Sequence, residues 1–480
     1  MKLRIFFVFF AILGIAGMFC AGNPPADVKE MKITSSSKQA LQAFYEGRSL
    51  FDIQEYQKSV DFFTKAIELD DKFALAYLYK AWVGGQKEFN VYSDKALKLI
   101  DNVSEGEKCF LKMYEFQRNR DGANMVKEAD RLQELYPDDY RLLFYLASDI
   151  YWDEDDKAIG LFEMAILKNP EFAPIYRNLG YKYSILRDFK NAEKNYIKYK
   201  ELLPEKVSPI RYIATLYRQK GDFDKALASY NEILEMEPNN SARLMVGHCY
   251  VFKNKFADAR LNYMKWFNTT KDFGSKNYAL FYNAVSFIYE DDFNAALQGF
   301  EKLRSFCQTE KLYKQEINTC LNQAWLSYNT GKIEEGNGYL KTAETLTENS
   351  GLTNVEKDVY RYRLMSWNAY KYIKQGEFDQ AETLLKEFEL KLKERNMPGA
   401  KKQLSFLLGL FDFYKGNYKN AIVKMENGIG SPYEWYFLGL AYEKLNDQSK
   451  AQEYFKQVAG WYLNSLELAL VRNKALKKIN

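Results

Sequence analysis

The chain says the same thing twice, in register. Residues 173–204 read APIYRNLGYKYSILRDFKNAEKNYIKYKELLP, and residues 208–238 read SPIRYIATLYRQKGDFDKALASYNEILEMEP. Tyr183 returns as Tyr217, Phe189 as Phe223, Ala192 as Ala226, Tyr196 as Tyr230 and Pro204 as Pro238, each step 34 residues. Within one unit, Tyr176, Leu179, Gly180 and Tyr183 fall on one face of a helix, and Ala192, Tyr196, Tyr199 and Leu203 on one face of a second. RDF and KGDF supply the turn between them, with an acidic start to the second helix, and Pro204 ends the unit. Gly180 and Ala192 are small where the two helices must approach closely. A helix pair of this size cannot bury its apolar face alone, so it stacks on copies of itself.

The pattern of Leu, Gly or Ala, Tyr, then Gly-Asp-Phe, Ala, Tyr or Phe, and Pro resembles the tetratricopeptide repeat. That resemblance implies an all-α fold, an α-solenoid wound as a right-handed superhelix of about 12 helix-turn-helix units. The register runs from Gly47, Phe63 and Ala66 through Ala158 and Phe162, Gly247 and Tyr263, and Ala284 and Phe300, to Gly439, Ala451 and Phe455. It assigns residues 38–460 to the array, with the second and third units degenerate, and residues 461–480 to a C-terminal capping helix. Connections near 101–106, 268–276, 307–316, 348–358 and 394–401 look longer; the first can belong to the degenerate second unit, and the others could act as hinges.

The first 22 residues, MKLRIFFVFFAILGIAGMFCAG, carry Lys2 and Arg4 ahead of a 15-residue apolar run, Ile5 to Phe19. That run is short for a membrane span, which needs about 20 residues, and small residues follow it. We expect an export signal over 1–22 and a polar linker over 23–37, and so a periplasmic or cell-envelope protein. Three outcomes are open: cleavage after Gly22, lipidation at Cys20, or an uncleaved leader. Only the last two would tie the chain to a membrane.

Loss of Lys2 and Arg4 leaves 66 basic against 64 acidic residues, a charge of +2. That balance gives no support for nucleic-acid binding. Cys109, Cys249, Cys307 and Cys320 form no CxxC pair, so we expect buried thiols, with a bridge between Cys307 and Cys320 left open. His248 is the one histidine, and no phosphate-cradling or nucleophile-elbow motif occurs. We therefore expect no enzyme, no cofactor and no metal, and place His248 as a neutral ring lining the groove. The acidic runs WDEDDKA (152–158) and YEDDFNAA (289–296) precede second helices and read as helix starts.

The aromatic content is high, with 37 Tyr and 34 Phe, so rings must either fill the wall between repeats or line a groove. Trp435 stands at a packing position and is expected in the core. In the family's geometry Trp82 and Trp325 face the concave wall, as do Tyr140, Tyr151, Tyr181, Tyr278, Tyr289, Tyr328, Tyr370, Tyr414, Tyr433 and Tyr436. Arg177 and Arg211 hold one inward-facing place in successive units, and Arg218 follows Arg211 by seven residues. With no acid on those first helices, the three could hold an anionic group. Family members that clamp a C-terminal carboxylate do so with a fixed set of Lys, Asn and Arg. Here only Asn178 matches, with Leu143, Ala147, Ser208 and Tyr212 at other places. The expectation is a scaffold that binds a protein or an extended peptide, with Arg177, Tyr181, Arg211, Arg218, Tyr289, Trp325 and Tyr328 as contact candidates. The alternative is a glycan-binding protein using the groove aromatics.

Overall fold

A computed structural model describes residues 29–395 and 398–479. Among the described residues there are 25 α-helices and no strand. The chain divides into two units, one ending at Lys182 and one running from Tyr183.

The first unit holds the hairpins α1 (Lys38–Asp52) with α2 (Tyr56–Leu69), α3 (Ala74–Val83) with α4 (Gln86–Lys98), and α5 (Glu105–Arg118) with α6 (Gly122–Leu135). Next comes α7 (Tyr140–Tyr145), continued by one π-helical turn over Leu146–Ile150, and α8 (Asp155–Lys168). Helix α9 (Ala173–Ile185) carries the boundary.

The second unit continues with α10 (Phe189–Leu202), then α11 (Val207–Lys220) with α12 (Phe223–Met236), and α13 (Ala242–Phe252) with α14 (Phe256–Thr269). Longer hairpins follow: α15 (Phe273–Tyr289) with α16 (Phe293–Thr309), α17 (Tyr313–Asn329) with α18 (Ile333–Asn349), and α19 (Asn354–Gln375) with α20 (Phe378–Arg395). The unit ends with α21 (Pro398–Tyr414) and α22 (Tyr418–Met425), α23 (Pro432–Lys444) and α24 (Gln448–Ala459), and a last helix, α25 (Leu466–Ile479).

Four hairpins close on a small residue set against a large one. A Cβ on Gly47 would lie 2.9 Å from the Phe63 ring, on Gly247 2.3 Å from Tyr263, on Gly409 2.5 Å from Met425, and on Gly439 2.6 Å from Phe455. The partners are 16 residues apart in every pair, so one spacing in sequence sets one distance between helices. The turns repeat too. Asp188, Asp222, Asp292 and Asp447 accept the backbone N–H three residues on, at 3.0 to 3.3 Å, capping α10, α12, α16 and α24. The residue before each cap has left-handed φ, between 59° and 78°. Glycine supplies it at 221, while Arg187, Asp291 and Asn446 accept a conformation that L side chains rarely adopt.

Two expectations are corrected. The connections near 268–276, 307–316 and 348–358 are not long loops. Their extra residues lengthen α15 to α19 to 17–22 residues, leaving short links between helices. The link at 394–401 lies partly outside the described residues, as do the export signal with Cys20 and residues 23–28 of the linker. Residues 29–37 are not a free linker but a strap tied into the first unit. Asp139 Oδ2 accepts the N–H of Met31 (3.0 Å), Glu107 Oε1 that of Thr34 (3.0 Å), and Asp70 Oδ2 that of Ser36 (2.7 Å), while Ile33 is buried. Three buried carboxylates would be costly without donors, and the strap provides them. Burial raises the Asp70 carboxyl, but hydrogen bonds led by Ser35 and Ser36 outweigh it and hold it below its ordinary value.

The packing makes a direct prediction. Gly247→Ala drives a methyl into the Tyr263 ring and should lower stability by about 1–3 kcal/mol. Gly338→Ala, where a Cβ meets nothing within 4 Å, should be neutral or slightly stabilising. Denaturant midpoints that rank the two variants the other way would refute the contact.

Candidate functional site

In the first unit the wall formed by α1, α3, α5 and α7 is filled by rings. Trp82 stacks on Phe51 (6.1 Å, 29°) and on Tyr145 (6.1 Å, 17°), with Phe110 and Tyr114 edge-on to it. At the end of α1, Asp52 forms an ion pair with Arg141. Burial raises the Asp52 carboxyl and Arg141 opposes that only in part. Arg177 belongs to this cluster. It is buried, and its Nη1 donates to the Asp52 carbonyl (3.0 Å) and its Nε to Asn178 Oδ1 (3.0 Å). The expectation of an open, anion-seeking Arg177 is therefore corrected, because the end of α1 supplies its acceptors. Tyr181 stays half exposed and stacks on Trp152 (5.8 Å, 18°). Beneath the pair, buried Lys182 donates to the Trp152 carbonyl and pairs with Asp155, an acid of the 152–158 run in the first turn of α8.

In the second unit the first-helix wall already carries a segment of chain. Residues 461–465 have no helical structure and cross it, and α25 then packs on α15, α23 and α24. Arg218, buried at the end of α11, donates to the carbonyl of Tyr462. The Tyr462 ring meets Phe223 (5.1 Å) and Phe252 (5.4 Å) edge-on, and presses on Gly221. Asn464 Nδ2 donates to His248 Nδ1 (2.9 Å) and lies 3.3 Å from Tyr263 Oη. Burial, then the charge of Arg218, holds the His248 imidazole well below its ordinary value, so the ring is neutral. Further on, Asn473 Nδ2 donates to the Tyr289 carbonyl (2.9 Å), and Lys478 pairs with Glu443 (2.8 Å).

Several expected contacts are thereby corrected. Arg218 and Tyr289 are buried under the chain's own C-terminus. Arg211 is exposed, 3.4 Å from Asn240 Oδ1, so it shares no open face with Arg218. Residues 461–480 do more than cap the last hairpin. A signal was present in LELALV, residues 466–471: Leu466, Leu468, Ala469, Leu470 and Val471 are all buried, whereas a capping helix keeps a polar outer face. Tyr328 is buried against Gly336 and donates to Asn337 Oδ1 (3.1 Å), a packing role. Trp435 is half-buried, edge-on to Trp461 (5.1 Å), rather than in the core. Cys307 and Cys320 are free and buried, and burial pushes both thiols up to about 12.

Trp325 is buried but reaches a cavity. With Trp367, Tyr370, Phe406 and Tyr433 it lines a cavity of about 510 Å³ among α17, α19, α21 and α23 and the start of α25. Behind the rings the hydroxyls are satisfied: Tyr370 and Tyr433 lie 2.9 Å apart, Tyr433 donates to Asn329 Oδ1 (2.6 Å), and Asn329 donates to Tyr370 (2.8 Å). Asn322, Arg363, Gln403 and Glu467 bring polar groups to the cavity lining. Among the described residues no group of three or more His, Cys, Asp or Glu is placed to hold a metal ion.

The family model described as "Tetratricopeptide repeat" matches residues 213–240 and 435–464. No curated protein matches the chain. Among solved structures, it is similar to the MamA protein at 17% identity, over 33% of this chain and 87% of that one, with a TM-score of 0.30. It is similar to YrrB, "a TPR protein with an unusual peptide-binding site", at 17% identity over 37% and 91%, TM-score 0.29. A tetratricopeptide repeat protein from Parabacteroides merdae matches at 16% identity over 63% and 98%, TM-score 0.33.

Where α25 begins, Glu434 of α23 is fully buried, with Oε1 unpaired and Oε2 accepting the N–H of Gly430. Burial raises its carboxyl to about 7 against the N–H groups of Gly430 and Ser431, and Glu467 adds to the rise. The folded value lies above the unfolded one, so the protonated form is favoured by folding. That stability is complete below pH 4.5 and is lost as pH rises through 7. Glu434→Gln should gain on the parent across this window, by up to about 3 kcal/mol at pH 8. Unfolding curves in which the difference stays flat from pH 4.5 to 8 would exclude the assignment.

Proposed function

We propose that this chain, two stretches of which match the tetratricopeptide repeat, is a non-enzymatic protein-interaction scaffold of the cell envelope or periplasm, taking a protein or extended peptide on the faces of its first helices. The observation that carries this reading is residues 461–465, a non-helical stretch held across first helices by Arg218 on a backbone carbonyl and by His248 and Tyr263 around one Asn side chain. A carbonyl contact of this kind reads backbone rather than sequence, as a peptide groove does.

The same segment limits where a partner sits. Helix α25 and its lead-in bury Leu466, Leu468, Leu470 and Val471, each contributing roughly 1.5–3 kcal/mol. A partner does not displace that anchor as a whole. It uses what stays open: Tyr181 on Trp152 in the first unit, and Arg211 and Tyr278 in the second, all exposed. A second reading, glycan binding, is favoured by the aromatic cavity around Trp325. Export rests on the leader over 1–22, and among the described residues no helix is long and apolar enough to cross a membrane.

Two measurements test the proposal. Mass spectrometry of the protein from cells should find an N-terminus at Asn23 or a lipid on Cys20. An intact Met1 would count against export. A partner captured from an envelope extract and purified should bind Tyr181→Ala or Arg211→Ala about tenfold more weakly, a loss of 1.4 kcal/mol, with helicity unchanged. Equal affinity for both variants would remove these faces from the site.

A further inference from the structure

The cavity in the second unit has a mixed chemistry that neither packing nor the C-terminal segment uses up. Its lining includes Trp325, Trp367 and Phe406, beside Tyr370 and Tyr433, whose hydroxyls are paired with each other and with Asn329. Its size, about 510 Å³, lies within the range of small-ligand sites. A purely apolar ligand fits the walls but not the lining. Asn322, Arg363, Gln403 and Glu467 would be covered without new partners, and each covered polar group left unpaired costs roughly 1–3 kcal/mol. A ligand that offers both apolar ring faces and many hydroxyls satisfies both.

Arg363 narrows the class. It sits on α19, where its Nη1 donates to Asn318 Oδ1 (2.6 Å) and its guanidinium lies 5.9 Å from the Tyr360 ring. Both partners are neutral, and the one carboxyl group in the same lining is that of Glu467. A guanidinium at the edge of an aromatic cavity, with no carboxylate among its hydrogen-bond partners, is suited to a planar, bidentate anion. Gln403 Nε2 is engaged by Ser366 Oγ (3.0 Å), which leaves its carbonyl oxygen to accept from a hydroxyl. Glu467, from the first turn of α25, adds a second acceptor, and so the C-terminal segment completes the site.

We propose that this cavity binds an acidic saccharide, one pyranose ring lying among Trp325, Trp367 and Phe406 with its carboxylate on the guanidinium of Arg363. Aromatic faces pack on the C–H faces of the sugar, and the amides and Glu467 take its hydroxyls. The inference rests on the glycan reading and deepens it by naming the charge of the ligand.

The test is calorimetric titration of the mature chain, with tryptophan emission followed in parallel. The probes are disaccharides of galacturonate, glucuronate and mannuronate, their neutral counterparts, and phenylacetate. At least one uronate should saturate the protein and shift its emission, binding tenfold or more tightly than its neutral counterpart. Arg363→Gln should bring that uronate down to the level of the neutral sugar, with the thermal midpoint unchanged. Trp367→Ala should lose both. If the neutral sugar binds the parent as tightly as the uronate, the acidic assignment is overturned and the glycan reading stands. If no saccharide binds, or only phenylacetate does, both fall.

Discussion

The structure depends on one contact made over and over: a small residue on the first helix of a hairpin against a large one on the second, 16 residues later. Gly247 and Tyr263 are the tightest case, and Gly47 with Phe63 and Gly439 with Phe455 repeat it. The contact fixes how near the two helices lie. It also buries the large side chain completely, since Phe63, Tyr263 and Phe455 have almost no exposure. With the hairpin closed, the apolar residues left over can be covered only by the next hairpin. In the second unit, aspartate caps at 188, 222, 292 and 447 start four of the second helices at the same point of the repeat.

Rings not used in the hairpins fill the first-helix walls. In the first unit Trp82 is wedged between Phe51 and Tyr145, with the Asp52–Arg141 pair and Arg177 at the end of α1. In the second unit the filling comes from the C-terminus. Tyr462 occupies the space between Phe223 and Phe252, and the apolar stretch from Leu466 to Val471 follows it. An excess of aromatic residues in a repeat array thus marks a wall that is largely packed rather than an open channel. What stays open includes the half-exposed Tyr181, the exposed Arg211 and Tyr278, and the cavity beside Trp325.

These leftovers frame the functional reading. Recognition of a macromolecular partner would draw on separate exposed contacts on two units. The cavity is a different kind of site, walled by five rings and lined by a cation whose partners are neutral. The C-terminal segment links the two ideas physically, for it both covers Arg218 and Tyr289 and brings Glu467 to the cavity.

Period and patterning in the sequence determined the helices, their pairing, and the small and large partners of each hairpin, because these are local and obey a fixed spacing. The aspartate starts of second helices were legible for the same reason, as was a neutral His248 on the first-helix wall. Contacts between residues far apart in sequence were decided only by tertiary structure. Arg177 reads as a free cation until Asp52, 125 residues away, offers its carbonyl. Arg218 reads likewise until Tyr462, 244 residues away, does the same. The 29–37 strap looks like a linker because its donors are backbone N–H groups, which every residue has, and its acceptors are Asp70, Glu107 and Asp139 elsewhere in the first unit. A repeat pattern reports which face of a helix is apolar. It does not report what the chain brings back to cover that face, because such closure joins segments that no period relates.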